Sequence, residues 1–208
     1  MKIVIDGLIG AGKSTQVDIL SKITGKSVIK EPIGDWPLDL FYKDPSRWGF
    51  MMQVAVLNSY AKMKESSGIF ERCPKSTHEI FWQNLVESKV VTAEENKIFE
   101  KLYKYHSWNP DVIIFIDKSP EKCHEHIQGR NQTGDGGVSM DYLKSLDVLY
   151  TKHFKNNDSI HVIDGNQAIS DVTRDILKII NPLLNKSTPE LCNGKQQRHP
   201  LLDHDVYM

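Results

Sequence analysis

Eight residues near the amino terminus carry the sharpest chemical signal. Gly7-Leu8-Ile9-Gly10-Ala11-Gly12-Lys13-Ser14 matches G-x-x-x-x-G-K-[ST], with Thr15 following. The glycines let the backbone curl so that successive N–H groups point inward at an anion, and a helix opening at Lys13 adds the partial positive charge of its amino end. Lys13 can reach the β- and γ-phosphates of a nucleoside triphosphate, and the Ser14 hydroxyl can ligate Mg²⁺. This loop specifies a phosphate donor such as ATP but not an acceptor. Glu31, in Lys30-Glu31-Pro32-Ile33-Gly34-Asp35-Trp36, is a carboxylate at a strand end before a forced turn. Such a group can orient an acceptor hydroxyl and take its proton, or it can cap a nearby helix, and spacing alone leaves both open. Glu71-Arg72 puts an acid and a cation at a third strand end; the bland alternative is an ion pair of Arg72 with Glu71 or Glu31. Asp117, after the apolar strand Val112–Ile116, is a candidate metal-anchoring acid.

These residues need strands to bring them together. Compact apolar runs predict strands over Lys2–Asp6, Ser27–Glu31, Gly68–Glu71, Val112–Asp117 and Ile160–Asp164, apolar on both faces as in a buried parallel sheet. Helical periodicity predicts Lys13–Thr24, Pro45–Lys64, Thr77–Ser88, a helix from the Thr92/Glu95 capping box to about Tyr105, one from Ser119-Pro120 to Gln128, Met140–Phe154 and Ser170–Leu183. The alternation implies an α/β fold: a five-stranded parallel sheet with right-handed crossovers and helices on both faces. Ligands of such sheets bind beyond the carboxyl ends of the strands, where Gly7–Ser14, Glu31 and Glu71-Arg72 converge. The polar, glycine-rich Asn131–Gly137 reads as a lid on a helical arm. Residues 1–184 form the phosphate-loop domain and 185–208 read as a tail that loses periodicity.

Composition excludes several classes. The chain has 208 residues, 39% hydrophobic and 25% charged, which suits one domain with a substantial core. A net charge of −1 offers no track for nucleic acid. No long apolar run suggests a membrane span, and Ile3-Val4-Ile5 is too short for a signal peptide. Cys73, Cys123 and Cys192 have no C-x-x-C spacing, which fits a reducing, cytoplasmic setting.

Several motifs in order extend the reading: the phosphate loop, Glu31-Pro32 with Trp36, Tyr42-x-x-Pro45-x-Arg47-Trp48-x-Phe50-x-x-Gln53, Glu71-Arg72-Cys73, Gly129-Arg130-Asn131 and Tyr142-Leu143. Over roughly residues 1–180 the chain resembles the deoxyribonucleoside kinases, which include the mitochondrial and insect enzymes, deoxycytidine kinase and, more remotely, herpesvirus thymidine kinases. The resemblance implies a P-loop kinase fold that moves the γ-phosphoryl of ATP, with Mg²⁺, to the 5′-hydroxyl of a deoxynucleoside. It implies that Glu31 is the general base, that Arg72 holds the hydroxyl region and the incoming phosphate, and that Glu71 is the acid of the Mg²⁺ shell. Gln53 then pairs with the base edge, Phe81 stacks on the base with Trp48 on the opposite wall, Tyr42 binds the 3′-hydroxyl and Arg130 closes from the lid. It further implies a homodimer, with the helix Pro45–Lys64 as a candidate surface.

The lid departs from the family pattern. Matching spacing puts His124 and Gln128 where the family carries further arginines, and the glutamate that often assists the 3′-hydroxyl has no clear match, with Thr133 and Asp135 as substitutes. The charged pair that purine- and deoxycytidine-accepting members tend to carry is absent, and Tyr60 and Thr77 stand at the matching positions. By helical spacing Val56 and Tyr60 follow Gln53 along the base pocket. Thymidine, or another pyrimidine, is therefore the expected acceptor, with Tyr60 and Phe81 restricting a two-ring base. The rival reading is a thymidylate or other nucleoside monophosphate kinase, against which Glu31 would repel a phosphate; a non-catalytic nucleotide switch is the other. His124 and His126, two apart on a helix, make poor metal partners. Cys192, His199 and His204 lack zinc spacing, and the acceptor-like Asn131-Gln132-Thr133 and Asn185-Lys186-Ser187 are set aside for an intracellular chain.

Overall fold

The structure, a computed structural model, describes residues 1–130 and 134–186. Sequence expectations on Asn131, Thr133 and the tail with Cys192, His199 and His204 fall outside the described residues. Five strands form one sheet, β1 (Lys2–Gly7), β2 (Val28–Ile29), β3 (Gly68–Glu71), β4 (Val112–Asp117) and β5 (His161–Asp164), in the order β2-β3-β1-β4-β5. Every pairing is parallel, and β1 is central, with Ile3 opposite both Ile69 and Val112. Ile3, Val4 and Ile5 are buried, as are Ile114, Phe115 and Ile116 of β4, so the middle of the sheet has no solvated face.

Around the sheet lie α1 (Lys13–Thr24), α2 (Leu38–Lys43), α3 (Pro45–Lys62), α4 (Pro74–Ser76), α5 (Gln83–Glu87), α6 (Ala93–His106), α7 (Pro120–Arg130), α8 (Met140–Tyr150) and α9 (Ile169–Lys186). Thr92 and Glu95 form the expected capping box at α6. Between α4 and α5 the chain winds as a π-helix over Thr77–Trp82, so residues 74–87 run as one helix with a widened middle, and Thr151–Lys155 extends α8 in the same way.

Three expectations are corrected. The second strand stops at Ile29 instead of Glu31, because Pro32 has no N–H for the ladder and disfavours continued regular backbone at Glu31. The last strand is not apolar on both faces: it lies at the sheet edge, and only Ile163 of its four residues is buried. Pro74 rather than Thr77 opens the fourth helix, as a first-turn proline after Cys73. The helix α2 was not foreseen.

Candidate active site

Beyond the carboxyl ends of β1, β2 and β3 lies a cavity of about 650 Å³. Ile9, Gly10, Gly12, Lys13, Ser14 and Thr15 form its floor at one end. Leu8 and Ala11 are buried beneath them, and Gly7 closes β1. Gly10 has φ of 83°, and a Cβ there would overlap the carbonyl of Cys123 on α7; only glycine permits both the left-handed backbone and this approach. Lys13 curls over the loop, Nζ donating to the Leu8 carbonyl at 2.8 Å. Burial and then the Arg72 charge lower its amine to about 8, so the free site is short of stabilising anions that a bound phosphate chain would supply.

The acceptor end is a cluster of charges packed out of water. Arg72 Nη1 donates to Glu31 Oε2 at 2.6 Å and Nη2 to the Gly7 carbonyl at 3.0 Å. Its Nε lies 3.4 Å from the Tyr150 hydroxyl and 3.7 Å from Asp6 Oδ1. The Phe81 ring covers the guanidinium at 4.9 Å. Arg72 holds φ of 57°, unusual for a residue with a Cβ, and this backbone aims the side chain back across the end of β1. Asp6, fully buried, accepts from the Gly7 N–H and the Tyr150 hydroxyl at 2.7 and 2.8 Å. Burial pushes the Glu31 carboxyl above its ordinary value; Arg72 opposes that and the Glu71 charge adds to it. A carboxylate in reach of the cavity and held by Arg72 is placed to take a proton from an acceptor hydroxyl.

Ser14 Oγ donates to Glu71 Oε1 at 2.7 Å. Two hard oxygens this close, both on the cavity wall, can occupy adjacent corners of an Mg²⁺ shell, whose octahedral edge is about 2.9 Å for bonds of 2.0–2.1 Å. No cluster of three or more His, Cys, Asp or Glu suited to a metal occurs among the described residues. Asp117 instead pairs with Lys155 at 2.8 Å and is not among the cavity residues.

The other wall is apolar with one amide. Gln53 and Val56 of α3 line it with Met52, Thr77 and Phe81. Gln53 is buried, and its Oε1 has no hydrogen-bond partner among the described residues. Tyr42 lies toward the lid end with its ring against Tyr142 at 6.2 Å. A Cβ on Gly137 would overlap the Tyr42 ring, and burial raises the Tyr42 phenol to about 12. Arg130 forms a two-bonded pair with Asp135, 2.8 Å at Nε and 2.7 Å at Nη2, and both residues line the cavity.

Two expected wall residues stand elsewhere. Trp48 is half-buried against the core with Arg47 5.8 Å from its ring, and is not among the cavity residues. Tyr60 is 1% exposed and also absent from the wall, because α3 turns its Tyr60 face to Trp108 and β3; its bulk cannot restrict a base. One residue dismissed on sequence is present: His126 lines the cavity, its Nδ1 3.1 Å from the Gly10 carbonyl. The signal was its four-residue spacing from Arg130, whereas His124 and Gln128 lie off the cavity.

With this geometry in hand, comparison with known proteins is informative. The profile of the deoxynucleoside kinase family matches residues 3–187. A putative kinase, 143R of Invertebrate iridescent virus 6, is 32% identical over 192 residues, covering 88% of this chain and 98% of that protein. The deoxyadenosine kinase of Dictyostelium discoideum is 34% identical over 158 residues, covering 71% of this chain and 64% of its own. Mitochondrial thymidine kinase 2 of Homo sapiens is 27% identical over 164 residues, 71% and 62% of the two chains. The structure of deoxyadenosine kinase from M. mycoides with bound dCTP superimposes with a TM-score of 0.79 at 26% identity, covering 88% of this chain and all of that one. The chain belongs to the deoxynucleoside kinase family, whose members are ATP-dependent phosphotransferases.

Proposed function

We propose that this deoxynucleoside kinase takes thymidine, or another pyrimidine deoxynucleoside, as its preferred acceptor and returns the 5′-monophosphate for nucleotide salvage and DNA synthesis. The observation that carries the preference is the buried Gln53 amide, whose Oε1 lacks a partner among the described residues, on a wall shared with Thr77 and Phe81. A buried acceptor left unpaired costs about 1–3 kcal/mol. A small rotation of the amide that turns Oε1 toward the cavity would let the N3–H of thymine supply the missing donor while the amide N–H₂ meets O4; a flipped amide would serve cytosine. Glu31, turned to the cavity and already paired with Arg72, favours a neutral nucleoside over a monophosphate as acceptor.

In this reading the loop N–H groups and Lys13 hold the β- and γ-phosphates of ATP. Tyr42 meets the 3′-hydroxyl and Phe81 stacks on the base. Glu31 takes the 5′-hydroxyl proton as the oxygen attacks, and Arg72 and Arg130 meet charge on the transferring phosphoryl. Ser14 and Glu71 would hold Mg²⁺, which supplies charge neutralisation at the phosphates when bound. No described helix is long and apolar enough to cross a membrane, and we place the enzyme in the cytoplasm as a homodimer, with the chemistry in residues 1–184.

The test is kcat/KM for thymidine, deoxycytidine, deoxyadenosine and deoxyguanosine, with thymidylate as a fifth acceptor. Shape and one amide discriminate by about 1–3 kcal/mol, or roughly 10- to 200-fold. A purine as best acceptor refutes the reading of Gln53; efficient turnover of thymidylate refutes the nucleoside assignment.

A further inference from the structure

Glu31 is poorly anchored by its own backbone. β2 ends two residues earlier, and the chain then passes Pro32 into a 3₁₀ turn at Ile33–Asp35. No strand neighbour fixes its Cα, so the direction of the carboxylate depends on what its oxygens touch. Oε2 accepts from Arg72 at 2.6 Å, and Oε1 accepts from the Tyr60 hydroxyl at 3.2 Å. We infer that Tyr60 is a positioning residue, whose hydroxyl, together with Arg72, fixes the Glu31 carboxylate so that one free lone pair meets the acceptor hydroxyl.

The inference rests on the reading of Glu31 as the proton acceptor. Tyr60 is 1% exposed, and a buried phenol must place its one proton. Its two candidates are Glu31 Oε1 at 3.2 Å and the Glu71 carbonyl at 3.4 Å. The carboxylate is both nearer and the stronger acceptor. The ring is held for this task by Trp108, which packs against it edge-on at 6.3 Å and donates its indole N–H to the Tyr60 carbonyl at 2.9 Å. That carbonyl, in the last turn of α3, also accepts from the Met63 N–H at 3.0 Å, so the indole adds a second bond to it.

The placement also links the two ends of the acceptor. Gln53 and Tyr60 are seven residues apart on α3, two turns or about 10 Å along one rigid rod. A base seated on Gln53 and a carboxylate held by Tyr60 are thereby set at a fixed separation, and misplacing a reacting group by about 1 Å costs on the order of 100-fold in rate.

The experiment is a double-mutant cycle of Tyr60→Phe and Glu31→Gln in the full chain, reading kcat and KM for thymidine with saturating Mg²⁺-ATP, and the melting temperature. Tyr60→Phe is expected to lower kcat about 10- to 150-fold, the size of one hydrogen bond to a charged group, with KM changed less than about twofold. In the Glu31→Gln background the same change should cost nothing further, since the proton acceptor that Tyr60 positions is gone. Tyr60→Met, which fills the slot without a hydroxyl, should behave like Tyr60→Phe and keeps the test open should the phenylalanine variant fold poorly. Full kcat in Tyr60→Phe with an inactive Glu31→Gln overturns the role of Tyr60 alone. Equal losses in both backgrounds overturn it too, showing that Tyr60 acts through packing. Near-normal kcat in Glu31→Gln overturns the reading of Glu31 itself, and this inference with it.

Discussion

Replacing Glu31 by Gln removes a proton acceptor while leaving the shape of the side chain almost unchanged. The carboxylate now receives two donors, Arg72 on Oε2 at 2.6 Å and Tyr60 on Oε1 at 3.2 Å. An amide has one oxygen, so one donor will face an N–H₂ group, and the lost charge-assisted bond is worth about 1.5–3 kcal/mol. Against this, the charge whose burial pushes the Glu31 carboxyl upward is gone, so the net stability loss should fall at the low end. In a chain of this size each 1 kcal/mol moves the melting temperature by about 2–4 °C. The kinetic loss should be much larger: about 10²- to 10⁴-fold in kcat, or roughly 2.7–5.5 kcal/mol of barrier. Steady-state phosphorylation of thymidine, paired with calorimetric nucleoside binding and a thermal melt, separates the two effects. The expected pattern is near-parent binding, a melting temperature lower by a few degrees and turnover lost. A loss of only about threefold would fall far short of what removing a general base costs, and would remove Glu31 from the proton transfer.

Lys13→Ala should abolish transfer, because the Lys13 ammonium is the charge the phosphate loop brings to the β- and γ-phosphates; robust activity in a radiolabelled transfer assay would mean that the loop is not the donor site. Arg130→Ala should lower kcat more than it raises KM for the nucleoside, since Arg130 reaches the cavity from α7, and unchanged kcat would leave Arg72 as the cation that meets the transition state.

Strand existence was readable because five β-branched runs were short, apolar and bounded by turn residues, and β1, β3 and β4 fall within a residue of expectation. β2 was overextended because apolarity was followed up to Glu31 while Pro32, which removes a ladder donor, was weighed only as a turn. Helix α2 was hidden because Trp36-Pro37 reads as a turn and six residues are too few for a visible period. Convergence of the phosphate loop, Glu31 and Glu71-Arg72 was legible from sheet logic alone. Orientation along α3 was not: Gln53, Val56 and Tyr60 share a face by spacing, yet Tyr60 turns to Trp108 and Glu31 while its neighbours meet the cavity. Seven residues make slightly less than two full turns, and the cavity ends before the second turn is complete. His126 is legible only through Arg130, four residues on and on the same face of α7, because its two-residue spacing from His124 points the two imidazoles apart.

The π-wound stretch Thr77–Trp82 makes one wall of the cavity sensitive to length. It presents Thr77 and Phe81 to the cavity while burying Ile80 and Trp82, and then delivers α5 with Asn84 bonded to Ser145 at 2.8 Å and Leu85 in the core. A π turn holds one residue more than an α turn. Removing that one extra residue would restore ordinary winding with Asn84 and Leu85 kept in place, whereas deleting a residue from the α-wound part rotates everything beyond it by about 100°. The widened turn is thus the place along this helix where a one-residue deletion can be absorbed, and what such a deletion would change is the pair of side chains, Thr77 and Phe81, that the turn now presents to the cavity.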